Sequence, residues 1–82
     1  MRVNLKLSKV GMSMQEATIA KWYKNPGDAF AAGDVLYEIE TEKVTQEIAA
    51  PGAGKLLEIS VPAGQTVEVG GIVCVVDMTP GG

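Results

Sequence analysis

Apolar and polar residues alternate in short runs along this chain, and proline or glycine cuts each run. Val35, Tyr37 and Ile39 share one face of an extended segment, while Leu36, Glu38, Glu40 and Glu42 share the other. Apolar positions resume at Val44 and Ile48, and Pro51-Gly52 ends that run. The stretch is rich in Glu, Lys, Gln and Ala, so its local propensity is helical. A weak internal repeat decides for strands. With an offset of 37 residues, Gly27 falls on Gly64, Gly33 on Gly70, and Val35-Tyr37-Ile39 on Ile72-Cys74-Val76. The second copy is a β-branched run that prefers extended structure.

Each copy reads as strand, Pro/Gly turn, short strand, glycine turn, strand. Pro26-Gly27 and Pro62-Ala63-Gly64 suit chain reversal, because proline presets φ and glycine accepts positive φ. Strands are expected over residues 2–7, 17–23, 35–40, 44–49, 55–61 and 72–77, with short ones at Phe30 and Val67. The expectation is an all-β flattened barrel, or sandwich of two four-stranded antiparallel sheets, with quasi-twofold symmetry. The termini are expected to meet in one sheet, and the bend at Thr41-Glu42-Lys43-Val44 to project from the far end of the other. That bend lacks glycine, proline and asparagine, so turn chemistry alone does not find it.

At 82 residues the chain is one small domain, read as residues 1–78 with a flexible tail or linker start at 79–82. Its net charge of -3 argues against nucleic acid or an anionic membrane as partner. The longest apolar run, Ile72 to Val76, is too short to span a bilayer, and the first residues form no signal peptide, so a cytoplasmic location is expected. Histidine is absent and Cys74 is the sole cysteine, which removes intrachain disulfides, Cys/His zinc sites and histidine-based triads. An enzyme would have to work with carboxylates, Lys24, Lys43 or a tyrosine alone, so neither an active site nor a metal site is expected.

Lys43 sits at the bend among Glu40 and Glu42, with Glu38 and Glu47 on the flanking strands. A lysine at a hairpin apex is ordinarily a solvated surface residue. Acidic neighbours favour its protonated form, which makes it a poor Schiff-base amine. They suit an amine presented to another enzyme and acylated there. The acidic group Glu38, Glu40, Glu42 and Glu47 is a solvated face that would also steer partners.

The residues resemble a known family. Val10-Gly11-Met12-Ser13-Met14-Gln15-Glu16-Ala17-Thr18-Ile19 is similar to the opening of lipoyl domains in acyltransferase components of 2-oxo acid dehydrogenase complexes. Gly27-Asp28, Gly33-Asp34-Val35-Leu36, Glu40-Thr41-Glu42-Lys43-Val44 and Ala50-Pro51-Gly52-Ala53-Gly54 continue the match in order. The resemblance implies lipoate in amide linkage on Lys43. It gives Glu40 a part in selecting lipoate over biotin, Glu42 and Val44 the places beside the lysine, and Gly27 and Gly54 a part in shaping the attachment region. It implies a swinging arm that is reductively acylated at a thiamine-diphosphate-dependent 2-oxo acid decarboxylase, unloaded to coenzyme A at an acyltransferase core, and reoxidised by the flavoprotein dihydrolipoamide dehydrogenase. A lipoate ligase or lipoyl transferase would load it.

The related biotinyl domains usually place methionine on both sides of their lysine, where this chain has Glu42 and Val44. A biotinyl carrier and an unmodified interaction module of the same fold are therefore the alternatives. Lys6-Leu7-Ser8-Lys9 and Gln15-Glu16-Ala17 depart from the common family pattern, which leaves the particular complex open. Cys74 reads as a buried, inert thiol on the face of Ile72 and Val76. Trp22 reads as core or partly exposed edge, and Met12 and Met14 as packing under the second strand or lining a surface near the bend. Gly27, Gly33, Gly64 and Gly70 read as turn glycines.

Overall fold

A computed structural model describes residues 1–8 and 14–78. The expectations for Met12 and for the tail at 79–82 lie outside the described residues. Eight strands follow in order: β1 Arg2–Lys6, β2 Glu16–Trp22, β3 Ala29–Phe30, β4 Val35–Glu40, β5 Thr45–Ala49, β6 Gly54–Ile59, β7 Thr66–Glu68 and β8 Ile72–Met78. They form two antiparallel sheets, β1-β8-β6-β3 and β5-β4-β2-β7. The segment of helical propensity is extended, as the repeat requires. Ile19, Leu36, Ile39, Leu56, Val73 and Val76 are sealed in the core, so pattern outweighs local preference here.

The duplication is more complete than the sequence reveals. Trp22 pairs with Tyr37 as Ile59 pairs with Cys74, and Thr18 with Glu40 as Lys55 with Asp77, each shifted by 37 residues. β1 and β5 are also equivalents: Arg2 pairs with Asp77 as Thr45 with Glu40, and Lys6 with Ile72 as Ala49 with Val35. Their offset is 43 residues, because the chain takes six more residues from Lys6 to Ala17 than from Ala49 to Gly54, the equivalent positions. Gly27, Gly33, Gly64 and Gly70 all hold φ between 87° and 97°, which places glycine at equivalent turns in both copies.

Symmetric bulges overturn one expectation. Each sheet's pairing slips at Leu36 and at its equivalent Val73, so one residue on β4 or β8 has no opposite number. Leu36 was expected on the polar face of β4, yet it is 0% exposed beside buried Tyr37. Ile72 was expected to share a face with Cys74; with Val73 inserted between them, Ile72 is 41% exposed and Cys74 fully buried. Period-two alternation fails wherever an extra residue shifts the phase. Trp22 is half-buried against the core, its Nε1–H donating to the Val61 carbonyl at 2.9 Å and its ring 4.9 Å from that of Tyr37.

Candidate functional site: the lysine corner

β4 ends at Glu40 and β5 begins at Thr45, so the chain must reverse within residues 41–44. Thr41 makes that possible without glycine. Its backbone N–H donates to the Val44 carbonyl at 2.9 Å, its hydroxyl donates to the same carbonyl at 3.2 Å, and its Oγ1 accepts the Val44 N–H at 3.2 Å. A threonine side chain thus stands in for a backbone partner. Among the described residues, no residue other than glycine has positive φ, so the corner carries no left-handed backbone strain.

Glu40, Glu42, Lys43 and Val44 are all exposed. Val44 is 54% exposed, an apolar side chain left in water beside the lysine. The ion pairs among the described residues join Met1 to Asp77 at 2.7 Å and Lys24 to Asp34 at 3.8 Å; none ties down the Lys43 ammonium. The expected acidic surroundings are therefore a field around Lys43 rather than a contact with it. Beside the corner runs an open groove bounded by residues 14–18, residues 40–44 and Thr66. Met14 and Glu16 line the same groove as Lys43, and the Thr18 and Thr66 hydroxyls share one hydrogen bond at 3.1 Å.

Gly27 and Gly54 are not brought to this corner. Gly27 occupies the turn between β2 and β3, where its N–H donates to the Leu56 carbonyl at 2.7 Å. Gly54 opens β6 in the other sheet, opposite Phe30 and Met78. A β-carbon on it would stand 2.5 Å from the Asp77 carbonyl oxygen and 3.1 Å from the Phe30 ring, so close backbone approach is what glycine provides there.

The strands of the lysine-bearing sheet hold five glutamates and one lysine, while those of the other sheet hold three cations and two anions. Glu16 stands opposite Glu68, and Glu38 opposite Glu47. The Tyr23 hydroxyl donates to Glu47 at 3.3 Å. Partial desolvation, then the charges of Glu38 and Glu47, hold that phenol above its ordinary pKa. At the quasi-twofold equivalent of the corner lie Met1 and Met78. Met78 N–H donates to the Met1 carbonyl at 2.7 Å, the counterpart of the Thr41–Val44 bond. Residues 41–44 close the corner at this end, with Lys43 at the apex.

A family model described as biotin-requiring enzyme, the biotin/lipoyl type, matches residues 3–76. The chain belongs to the biotin/lipoyl attachment family. Within that family, this attachment domain is 43% identical to a dihydrolipoyllysine-residue succinyltransferase component of the 2-oxoglutarate dehydrogenase complex from Bartonella vinsonii subsp. berkhoffii. That alignment spans 77 residues, 94% of this chain and 19% of the relative. The corresponding protein of Rickettsia conorii is 50% identical over 70 residues, 85% of this chain and 18% of the relative. The attachment domain thus spans about a fifth of the length of these relatives. Its fold matches the solution structure of the lipoyl domain of the 2-oxoglutarate dehydrogenase complex from Azotobacter vinelandii. The TM-score is 0.76 at 32% identity, covering 98% of this chain and 99% of that one. A single-chain long-chain acyl-CoA carboxylase shares the fold at TM-score 0.79 and 24% identity, over 96% of this chain and 7% of that one.

Sequence reasoning missed Thr41 as the residue that builds the corner. The available signal was a hydroxyl three positions before Val44, the spacing of a side-chain-capped turn.

Proposed function

We propose that this domain carries lipoate in amide linkage on Lys43 and serves as the mobile acyl and electron carrier of a 2-oxo acid dehydrogenase complex. The observation that carries the reading is an exposed amine at the apex of a side-chain-capped corner, with no ion pair to it among the described residues. Amide attachment asks for one accessible primary amine, and Lys43 supplies it. When bound, the dithiolane supplies reductive acylation, acyl transfer and reoxidation chemistry. The chain's own residues present it: Thr41 fixes the corner, and the sheet beneath holds it still. Glu40 and Glu42 mark the lysine for the loading enzyme.

The full set of partners belongs to the same proposal: a lipoate ligase or lipoyl transferase, a thiamine-diphosphate-dependent decarboxylase, an acyltransferase core and a flavoprotein dehydrogenase. Tethering would raise the effective concentration of the arm at each to the order of mM. The relatives named as succinyltransferase components support a dehydrogenase complex over a carboxylase, and Glu42 and Val44 beside the lysine support lipoate over biotin.

Incubation with a lipoate ligase, ATP and lipoate tests this. Lys43 is expected to gain one lipoyl group. Lys43→Arg is expected to gain none while moving stability by about 0.5 kcal/mol or less, as exposed substitutions do. A wild-type domain that stays unmodified under conditions that load a known acceptor would overturn the reading.

A further inference from the structure

The lysine-bearing sheet and its twin differ across the middle of their outer faces. In the first, Lys21, Glu38 and Glu47 form one row over β2, β4 and β5, since Lys21 stands opposite Glu38 and Glu38 opposite Glu47. The equivalent row in the other sheet is Glu58, Val75 and Asn4, with Val75 only 7% exposed, and Ser60 takes the place of Tyr23. The fold is built there with a single charge and no aromatic ring. Neither Tyr23 nor the glutamate pair is therefore a requirement of the scaffold.

What the row holds is arranged around a cation. Among the described residues Lys21 makes no ion pair with Glu38; its ammonium lies 4.9 Å from the centroid of the Tyr23 ring instead. Tyr23 is 39% exposed, and its hydroxyl donates to Glu47 at 3.3 Å. Glu38 and Glu47 oppose each other as like charges, which costs a ladder stability, and neither has an ion-pair partner among the described residues. A ring that already receives a cation thus stands beside two carboxylates that lack one. The Lys21 ammonium is a compact, strongly hydrated charge. A guanidinium is flat and weakly hydrated, so it can stack on a ring and donate to a carboxylate at once.

We propose that Tyr23, Glu38 and Glu47 form a docking surface for an arginine-bearing face of another protein, whose guanidinium displaces Lys21 from the ring and donates to the glutamates. The occupant is not a second copy, because this chain's one arginine, Arg2, stands opposite Asp77 in its own ladder. Glu38 precedes Thr41 by three residues of extended chain, about 10 Å, so a partner seated here stands beside the lysine corner. The docking site holds whether or not Lys43 is loaded. Only its use, keeping a partner beside the arm, rests on the carrier reading above.

The test needs no loading enzyme. The domain is titrated with a blocked peptide bearing arginine at alternate positions, and with its lysine counterpart, and followed by NMR of its amides and of the Tyr23 ring. The arginine peptide is expected to move residues 21, 23, 38 and 47 most, and to half-saturate at about two- to fivefold lower concentration than the lysine peptide, the factor of a surface cation–π contact. Tyr23→Leu is expected to bring the two peptides level, and Glu47→Gln, which serves if that variant does not fold, to weaken the arginine peptide more. Lys21→Ala is expected to tighten arginine binding beyond Lys55→Ala, which changes the net charge equally on the other sheet. Equal binding of both peptides, with shifts spread evenly over Glu16, Glu42 and Glu68, would mean charge screening only and overturn the docking surface. So would shifts at Tyr23 that grow with domain concentration in the absence of peptide, which would place a second copy there. Failure of enzymatic lipoylation would count against the carrier reading alone.

Discussion

Gly27 and Gly64 make the same hydrogen bond from opposite halves of the molecule. The Gly27 N–H donates to the Leu56 carbonyl and the Gly64 N–H to the Ile19 carbonyl, both at 2.7 Å, and Ile19 and Leu56 are themselves equivalents. Each turn is thus locked to the first strand of the other copy. φ is +97° at Gly27 and +91° at Gly64, with nothing within 4 Å of where a β-carbon would stand.

Those two turns are expected to respond alike to substitution. Gly27→Val and Gly64→Val meet no steric neighbour, so the loss comes from the backbone. Left-handed geometry costs an L-residue about 1–2 kcal/mol, and a β-branched one at the upper end. Urea unfolding of both variants checks this. A harmless change at one site and a damaging one at the other would contradict the equivalence.

Gly54 fails for a different reason. A β-carbon there meets the Asp77 carbonyl at 2.5 Å and the Met78 Cα at 3.2 Å, both backbone atoms that cannot swing aside. Gly54→Ala is expected to cost about 1–3 kcal/mol through overpacking. Because Gly54 stands away from the lysine corner, loading of Lys43 in the folded fraction should proceed at the wild-type rate. Denaturation and a loading assay on the same sample separate the two effects.

Stability is expected to fall in alkali. Burial pushes the Cys74 thiol up to about 11 from 9.0. Burial, and then the neighbouring Cys74, pushes the Tyr37 phenol up to about 12 from 10.0. Both groups keep their protons in the native state while the unfolded chain releases its own. The native advantage is therefore intact below pH 9 and declines as pH rises through 11 and 12. Cys74→Ala removes one of the two titrations and should flatten the decline between pH 9 and 11, at some cost in packing. Unfolding midpoints at about pH 8 and about pH 10.5, below and above the thiol's ordinary pKa, read this out.

The acidic sheet face carries a cost that a merely structural face would avoid. Glu16 and Glu68 stand directly opposite each other, a like-charge pair that destabilises a ladder. Glu68→Gln is expected to raise stability by about 0.2–1 kcal/mol. If the face steers a basic partner, the same change slows enzymatic loading of Lys43. Added salt slows it further, the Debye length shrinking from about 10 Å at 0.1 M to about 3 Å at 1 M. Loading rates indifferent to both would mean that the face takes no part in recognition.

Much of this was readable before any coordinates. Glycines and β-branched runs at an offset of 37 residues place both copies of the strand–turn–strand unit, and the order of strands follows. The equivalence of β1 and β5 was hidden: the connection before β2 is longer, and β5 has little buried side chain to leave an apolar trace. The phase of β4 and β8 was misread because bulges at Leu36 and Val73 leave no mark in composition. Lys43 is singled out in the sequence by its flanking residues. The groove beside it, and Thr41 as the builder of the corner, needed the structure, since both depend on residues far apart in the chain or on where a hydroxyl points.

Peptide mapping of the domain after expression with lipoate available goes most directly to the central claim. A single adduct is expected on the peptide containing Lys43, and treatment with a reductant is expected to add two hydrogens to it. An adduct that ignores the reductant would mark biotin. An adduct on a different lysine, or none where a known lipoyl domain is fully loaded, would contradict the account.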